Sequence, residues 1–310
     1  MGAARFLRGL YPQLEPGRLT IVVNTADDET FFGLHVSPDL DTVTYTLANR
    51  GDPRQGWGVA RDTFACLDSL QRYYTHAWFR LGDADLATHI FRTESLRRGH
   101  SLTKVTAAIA ARHGLRARIL PMSDQPVRTH VEVVGAGALP FQEYLVKRRG
   151  RGRVRRVRFA GIGAARPAPG VLAALRQADA VIIPPSNPIV SIDPILALPG
   201  VRPALRRARV AAVTPLVRGL PIKGPLNHML RGLGVEVSAV GVAGLYRDFV
   251  DLFVLDERDA RLAPRIVDLG MEVLVTDTIM RSPAQSRRLA RAVLEAVFHH
   301  KGTTTQRRSR

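Results

Sequence analysis

The densest chemistry in this 310-residue chain is a set of aspartates spaced one residue apart. Ser37–Thr42 reads SPDLDT, with Asp39 and Asp41 following Pro38 in what reads as a loop after a strand. Carboxylates this close repel, and a hard cation such as Mg²⁺ is the usual remedy. The plainer alternative is that Asp39 caps a helix starting near Thr42. A second pair, Asp83 and Asp85, opens a predicted helix within RLGDADLATHIFR (Arg80–Arg92). Asp85 and His89, four apart, share one helix face and can pair or share a ligand. Arg80, just before the turn, can meet an anion or a flat ring system. Asp83 reads equally well as a helix cap.

Two later loops suit phosphate. Pro184–Pro194, PPSNPIVSIDP, follows an apolar strand and presents Ser186 and Asn187 where open parallel sheets bind ligands. Thr214–Pro225, TPLVRGLPIKGP, combines glycines, a following helix and the cation Lys223. Its spacing is not that of a Walker loop, and neither GxSxG nor HExxH occurs. The only cysteine, Cys66, lacks an evident activating partner. Acidic loops beside phosphate-friendly loops point to metal-assisted phosphoryl chemistry, in which the protein positions groups and neutralises charge.

The elements that must hold these groups alternate between short apolar runs and amphipathic stretches, the pattern of an α/β sheet. Strands are predicted at 19–24, 116–121, 130–134, 154–160, 180–184, 209–214, 235–242 and 252–255, and helices at 170–178, 224–233 and 282–298. Asp62–His113 has helical spacing and few strand signals. The expected fold is a doubly wound, mostly parallel Rossmann-like sheet with a mainly helical insertion at about 62–113. It forms one α/β domain over 1–298, followed by a basic disordered tail at 299–310. The opening MGAARFLRGL reads as the helix that follows a first strand and its phosphate-binding turn in such a sheet.

Composition bounds the partners. With 45% hydrophobic and 23% charged residues the chain is globular, and one cysteine excludes a disulfide scaffold and fits a cytoplasmic setting. No apolar run reaches the ~20 residues that span a bilayer, so no membrane partner is expected. The formal charge of +18 attracts anions. Much of it sits in Lys147–Arg158 and in the tail from Lys301, which read first as solvated segments. No nucleic-acid-binding signature accompanies them.

Taken in order, VVNTADD, SPDLDTVTYTLA, RLGDADLATHIFRT, LPMSDQPVRTHV, PPSNPIVSI, VTPLVRGLPIKGP and GVAGLYRDFVDLFVLDERD resemble the 2-phospho-L-lactate transferase family of deazaflavin coenzyme biosynthesis over roughly residues 1–278. The resemblance implies an Mg²⁺-dependent transferase, expected to be a homodimer. It would move a phospho-acid unit from a guanosine-diphospho donor to the ribityl hydroxyl of an 8-hydroxy-5-deazaflavin and release GMP. Carried onto this chain, it makes Asp39 and Asp41 the catalytic and metal candidates, with Asp83 in reserve. Asp41 and Arg80 would contact the deazaflavin, and Ser186, Asn187 and Lys223 the donor nucleotide. Asp41→Asn is expected to abolish transfer while sparing the fold. The alternatives are a protein that binds flavin and nucleotide without turnover, and a basic α/β protein that binds nucleic acid.

Overall fold

The structure, a computed structural model, describes residues 2–74, 79–221 and 224–299. Lys223 and the tail from residue 300 lie outside the described residues.

The β-branched runs form parallel strands, as their continuous apolar character requires. Four of them make one sheet in the order Glu272–Thr276, Leu252–Asp256, Val210–Val213, Val181–Ile183. Thr20–Val23 and Arg118–Pro121 form a separate parallel pair. The two middle strands of the larger sheet are buried along their whole length. Their side chains alternate between two cores, as strand geometry demands. Ala211, Val213, Leu252 and Val254 face a cluster with Phe6, Leu7, Leu289 and Val293 of the helices Gly2–Leu10 and Pro283–His299. Val210, Ala212, Phe253 and Leu255 face the opposite cluster, with Leu175, Leu205, Met229 and Val242 of four further helices. Helices thus cover both faces of a parallel sheet, the α/β architecture expected from the sequence. Among the described residues no helix is long and apolar enough to cross a membrane.

The segment between the paired strands carries the helices Ala65–Leu70, Asp83–Arg97 and Leu102–Arg112. An antiparallel hairpin, Glu29–Phe31 with Leu34–Val36, packs against the second of them. A three-stranded antiparallel sheet is ordered Gly137–Pro140, Arg128–Val133, Val154–Ala160. Val154–Ala160 is its edge, and Arg155, Arg156 and Arg158 are exposed along it. Charges there keep an unpaired edge from templating another chain, which gives these three arginines of the basic run a structural role.

Three expectations change. Val235–Val242 is not a strand: Ser238 accepts a hydrogen bond from the Gly241 amide at 3.1 Å and caps the helix Ala239–Tyr246. That helix is apolar all round, so its sequence carries no 3.6-residue signature and its first residues mimic strand alternation. The strand Glu272–Thr276, unrecognised in the sequence, closes the larger sheet. The helix carrying Asp39 and Asp41 runs Pro38–Leu47 rather than starting near Thr42, because Pro38 is preset for its first turn.

The carboxyl end of Leu252–Asp256 supplies one stability test. Asp256 is fully buried and accepts from the Thr278 amide (2.9 Å), the Thr278 hydroxyl (2.7 Å) and the Arg258 amide (3.0 Å). Burial alone would raise its carboxyl, but these donors outweigh it and hold it below the ordinary value. A lowered folded-state pKa stabilises above the unfolded value of 3.8 and is lost as pH falls through the folded one. Asp256→Ala is therefore expected to lose about 2–3 kcal/mol in urea titrations at neutral pH. The gap between variant and parent should narrow in acid below 3.8.

Candidate functional site

Polar side chains form three groups, the first of them at the carboxyl end of Thr20–Val23. The first is built on Asn24, Asp27 and Asp28, all buried, where the strand empties into TADDE. The Asn24 side-chain oxygen accepts from the Ala26 amide at 2.9 Å, a local turn typical of asparagine. Its amide nitrogen faces three acceptors: Asp27 Oδ2 and Asp39 Oδ2, each at 3.1 Å, and the Val190 carbonyl at 3.3 Å. Asn24 thus ties the acidic loop, the Pro38–Leu47 helix and the PSNP loop together. Burial, then the neighbouring Asp39 carboxylate, pushes the Asp27 carboxyl well above the ordinary range. Its Oδ1 is buried without a hydrogen-bond partner, and so is Oδ1 of Asp28. Asp28 Oδ2 accepts from the Ser37 hydroxyl at 2.7 Å and lies 2.9 Å from His35 Nε2, yet burial still leaves its carboxyl raised.

The second group is a buried ion network between helices. Arg92 pairs with both oxygens of Asp41 and lies 3.2 Å from His89 Nδ1. His89 Nε2 sits 3.3 Å from Asp85 Oδ1, and the Tyr45 hydroxyl donates to the same oxygen at 2.8 Å. Burial raises the Asp85 carboxyl, but the His89 ring, Tyr45 and Arg92 overcome it and leave it lowered. Arg92 is held charged: burial opposes the charge, and Asp41 outweighs burial.

The third group is a pair of crossed helix caps. Asp62 accepts from the Ala84 and Asp85 amides at 2.8 and 3.0 Å, at the start of Asp83–Arg97. Asp83 in turn accepts from the Ala65 and Cys66 amides, each at 3.0 Å, and from the Thr63 hydroxyl at 2.6 Å. Those bonds hold the exposed Asp83 carboxyl below its usual range. Gly82 lies so close to the Asp62 carboxylate that a side chain there would overlap it.

The sequence candidates therefore disperse. Positions two apart on a helix face roughly opposite ways, so Asp39 joins Asn24 and Asp27 while Asp41 joins Arg92. Asp83 is occupied as a cap. Ser186 and Asp39 line one cavity with Asn24 and Ser191. Asn187 instead caps the turn after it, its oxygen accepting from the Ile189 amide at 2.9 Å. Arg80 is exposed, its guanidinium 4.2 Å from the centroid of the Phe64 ring. Nearby on the hairpin side, Phe31 stacks on Phe79 at 4.0 Å and Phe32 meets Tyr74 edge-on at 5.0 Å. Asp27 and Arg92 were missed as sites. The available signal for Asp27 was the pair of adjacent acids in VVNTADD, directly after a buried strand.

Among the described residues, two places could hold a cation. Ligand atoms of Asp41, Asp85 and His89 lie within 4.8 Å of one another. However, Arg92 already supplies the positive charge there, and an imidazole is a poor donor for magnesium. The Asp27–Asp39 group offers hard oxygens only, with one buried oxygen lacking a partner and a carboxyl raised by burial and then by its neighbour. That donor set fits Mg²⁺.

The chain matches the family model described as 2-phospho-L-lactate transferase CofD over residues 1–289. It is 40% identical to the 2-phospho-L-lactate transferase of Methanosarcina mazei, covering 95% of this chain and 97% of that one. It is 42% identical to the phosphoenolpyruvate transferase of Thermobifida fusca, covering 97% and 96%. A crystal structure of a UPF0052-family protein from Bacillus halodurans superposes with a TM-score of 0.65 at 17% identity, over 95% of this chain and 96% of that one. At that identity the likeness is one of fold.

Proposed function

Since the chain belongs to the 2-phospho-L-lactate transferase family and is a transferase of that type, we propose that it moves a phospho-acid unit from a guanosine-diphospho donor to the ribityl hydroxyl of a deazaflavin alcohol. The observation that carries this reading is the Asn24–Asp27–Asp39 cluster, which opens beside Ser186 and Ser191 at the carboxyl end of the parallel strands.

Asp39 and Asp27 are the residues that would hold Mg²⁺, Asp27 taking the place first given to Asp41. Held there, Mg²⁺ would supply positive charge to offset that of the donor diphosphate. Asn24 fixes both carboxylates through one amide. The half-buried Asp39 orients the acceptor hydroxyl and receives its proton as that oxygen bonds to phosphorus. The bond from phosphorus to the GMP oxygen breaks, and GMP leaves with the electron pair. Ser186 and Ser191 offer hydroxyls to the donor phosphates. Arg80, Phe64 and the Phe31–Phe79 pair offer stacking faces to a flat acceptor ring. Asp41 and Arg92 act behind this surface, holding the Pro38–Leu47 helix in register. A cytoplasmic, homodimeric enzyme is part of the same proposal, supported by its single, exposed thiol and the family resemblance.

The test mixes protein, Mg²⁺, the deazaflavin alcohol and guanosine-diphospho donors carrying lactate, enolpyruvate or glycerate, with mass spectrometry of products. Phosphodiester and GMP from one donor are expected, and that donor names the acid. Absence of product from all three, with the acceptor still bound, would reject the transfer assignment. At the acceptor side, Arg80→Ala removes a cation and a stacking plane worth about 1 kcal/mol. KM for the deazaflavin is expected to rise about 5–10-fold with kcat nearly unchanged, as loss of uniform binding predicts.

A further inference from the structure

The arginine-rich loop 148–153 has no part in the chemistry above, yet it is fastened at both ends to the donor side of the molecule. The chain leaves the three-stranded sheet at Pro140, makes one π-helical turn at Glu143–Lys147, and returns through this loop to the strand Val154–Ala160. Such turns are rare and are often found at functional sites. Just before the turn, buried Gln142 donates from its side-chain amide to the Asp27 carbonyl at 3.4 Å. Just after it, Gly150 is bound twice to the fully buried Tyr144. The Gly150 amide donates to the Tyr144 carbonyl at 2.8 Å, and the Gly150 carbonyl accepts from the Tyr144 hydroxyl at 2.9 Å. Gly150 also packs so closely on the Pro225 ring that a Cβ there would overlap it. One end of this segment therefore rests on the Asp27–Asp39 group, and the other on the close of the TPLVRGLPIKGP loop.

The helix Leu226–Gly232, which follows Pro225, ties the same region to the PSNP loop. Asn187 Nδ2 lies 3.5 Å from Met229 Sδ, about one turn along, and Gly232 packs against the Val154 carbonyl at the helix end. Loop 148–153 thus runs beside this helix, with Arg149 and Arg151 flanking Gly150 at the Pro225 end. Both side chains are exposed. Nearby Lys147 pairs with Glu143 and Arg158 with Glu132, but among the described residues no acid pairs with Arg149 or Arg151. Arg149 also has φ +54°, the left-handed region that bulky residues avoid. Backbone held in that region clusters at ligand clamps.

We propose, resting on the donor reading above, that Arg149 and Arg151 form an anion clamp that binds the phosphates of the nucleoside diphosphate donor. A guanidinium offers a planar fork of donors to two phosphate oxygens at once, and the pinned glycine between the two arginines sets where both forks begin. The clamp binds free nucleotide and substrate alike, so it lowers KM without raising kcat.

Arg149→Gly is the sharpest test, because glycine adopts a positive φ freely and keeps the turn while losing the guanidinium. Affinity for GDP with Mg²⁺, by calorimetric titration, and the thermal midpoint are read on the full chain. Arg149→Gly is expected to bind GDP about tenfold more weakly, as loss of a charge-assisted bond predicts. It should melt close to the parent, since relief of the left-handed backbone offsets the added freedom of the unfolded chain. Arg156→Gln removes the same charge from the strand edge and should leave the affinity unchanged within about twofold. In turnover, KM for the donor should rise about tenfold in Arg149→Gly, with kcat and the acceptor KM nearly unchanged. Should that variant fold poorly, Arg151→Gln carries the same test with the same expected loss. Equal GDP affinity in parent and clamp variants, or equal losses in Arg149→Gly and Arg156→Gln, would overturn the clamp and leave the donor reading standing. A parent chain that binds no GDP would overturn both.

Discussion

Arg92→Met is expected to destabilise the folded protein by about 3–5 kcal/mol, the largest stability effect of any single change described here. The guanidinium is almost wholly buried, yet it touches Asp41 at both oxygens, and His89 and the His35 carbonyl at one nitrogen. Removing it leaves the Asp41 carboxylate buried and uncompensated, with Asp28 and Asp85 close by. Lysine is a poor substitute, because one ammonium cannot match the fork that bonds both oxygens of Asp41. Asp41→Asn should also destabilise, which alters the expectation from the sequence that this change spares the fold. Asp41→Asn combined with Arg92→Met should recover part of the loss, because neither charge is then left alone. Urea unfolding of the two single variants and the double variant checks this. Additive losses would show that the two side chains are not coupled.

Asp39→Asn and Asp27→Asn are each expected to lower kcat at least about a hundredfold, as removal of preorganised charge does at a phosphoryl-transfer centre. Their stabilities should differ. The Asp27 carboxyl is raised in the folded state, first by burial and then by Asp39. The folded protein therefore binds that proton more tightly than the unfolded chain does, and stability falls as pH rises above 3.8. An amide at position 27 removes this penalty, so Asp27→Asn should melt higher than the parent at neutral pH and alike in strong acid. Mg²⁺ should raise the melting point of the parent and much less that of either variant. An Asp27→Asn protein that melts lower at neutral pH, or that keeps full activity, would remove Asp27 from the centre.

The legible part of the fold is the part decided by local pattern. AVII, RVAAV and LFVL are apolar runs bounded by polar turns, and each became a parallel strand. The pairing of Asp85 with His89 followed from helical spacing alone. The partner of Asp41 was not legible. Arg92 lies between Phe91 and Thr93 on a helix that mixes apolar and charged residues, and it reads as a surface arginine until tertiary packing buries it. The separation of Asp39 from Asp41 was hidden for a related reason, since a loop would have let them converge and a helix does not. Strand Glu272–Thr276 escaped because EVLVT is flanked by no strong turn signal except Gly270.

The crossed caps have a consequence for motion. Asp62 completes the start of the Asp83–Arg97 helix while Asp83 completes the start of Ala65–Leu70, so neither end is finished without the other. Fraying one helix withdraws the acceptor from its neighbour and exposes unsatisfied amides there. The corner from Asp62 to Asp85 should therefore open and close as a single cooperative unit, with Ala65, Cys66, Ala84 and Asp85 amides sharing one opening free energy in hydrogen exchange. Arg80 and Phe64 ride on that corner, so capture of a flat ring there would be gated by a two-state hinge and not by independent side-chain rotations.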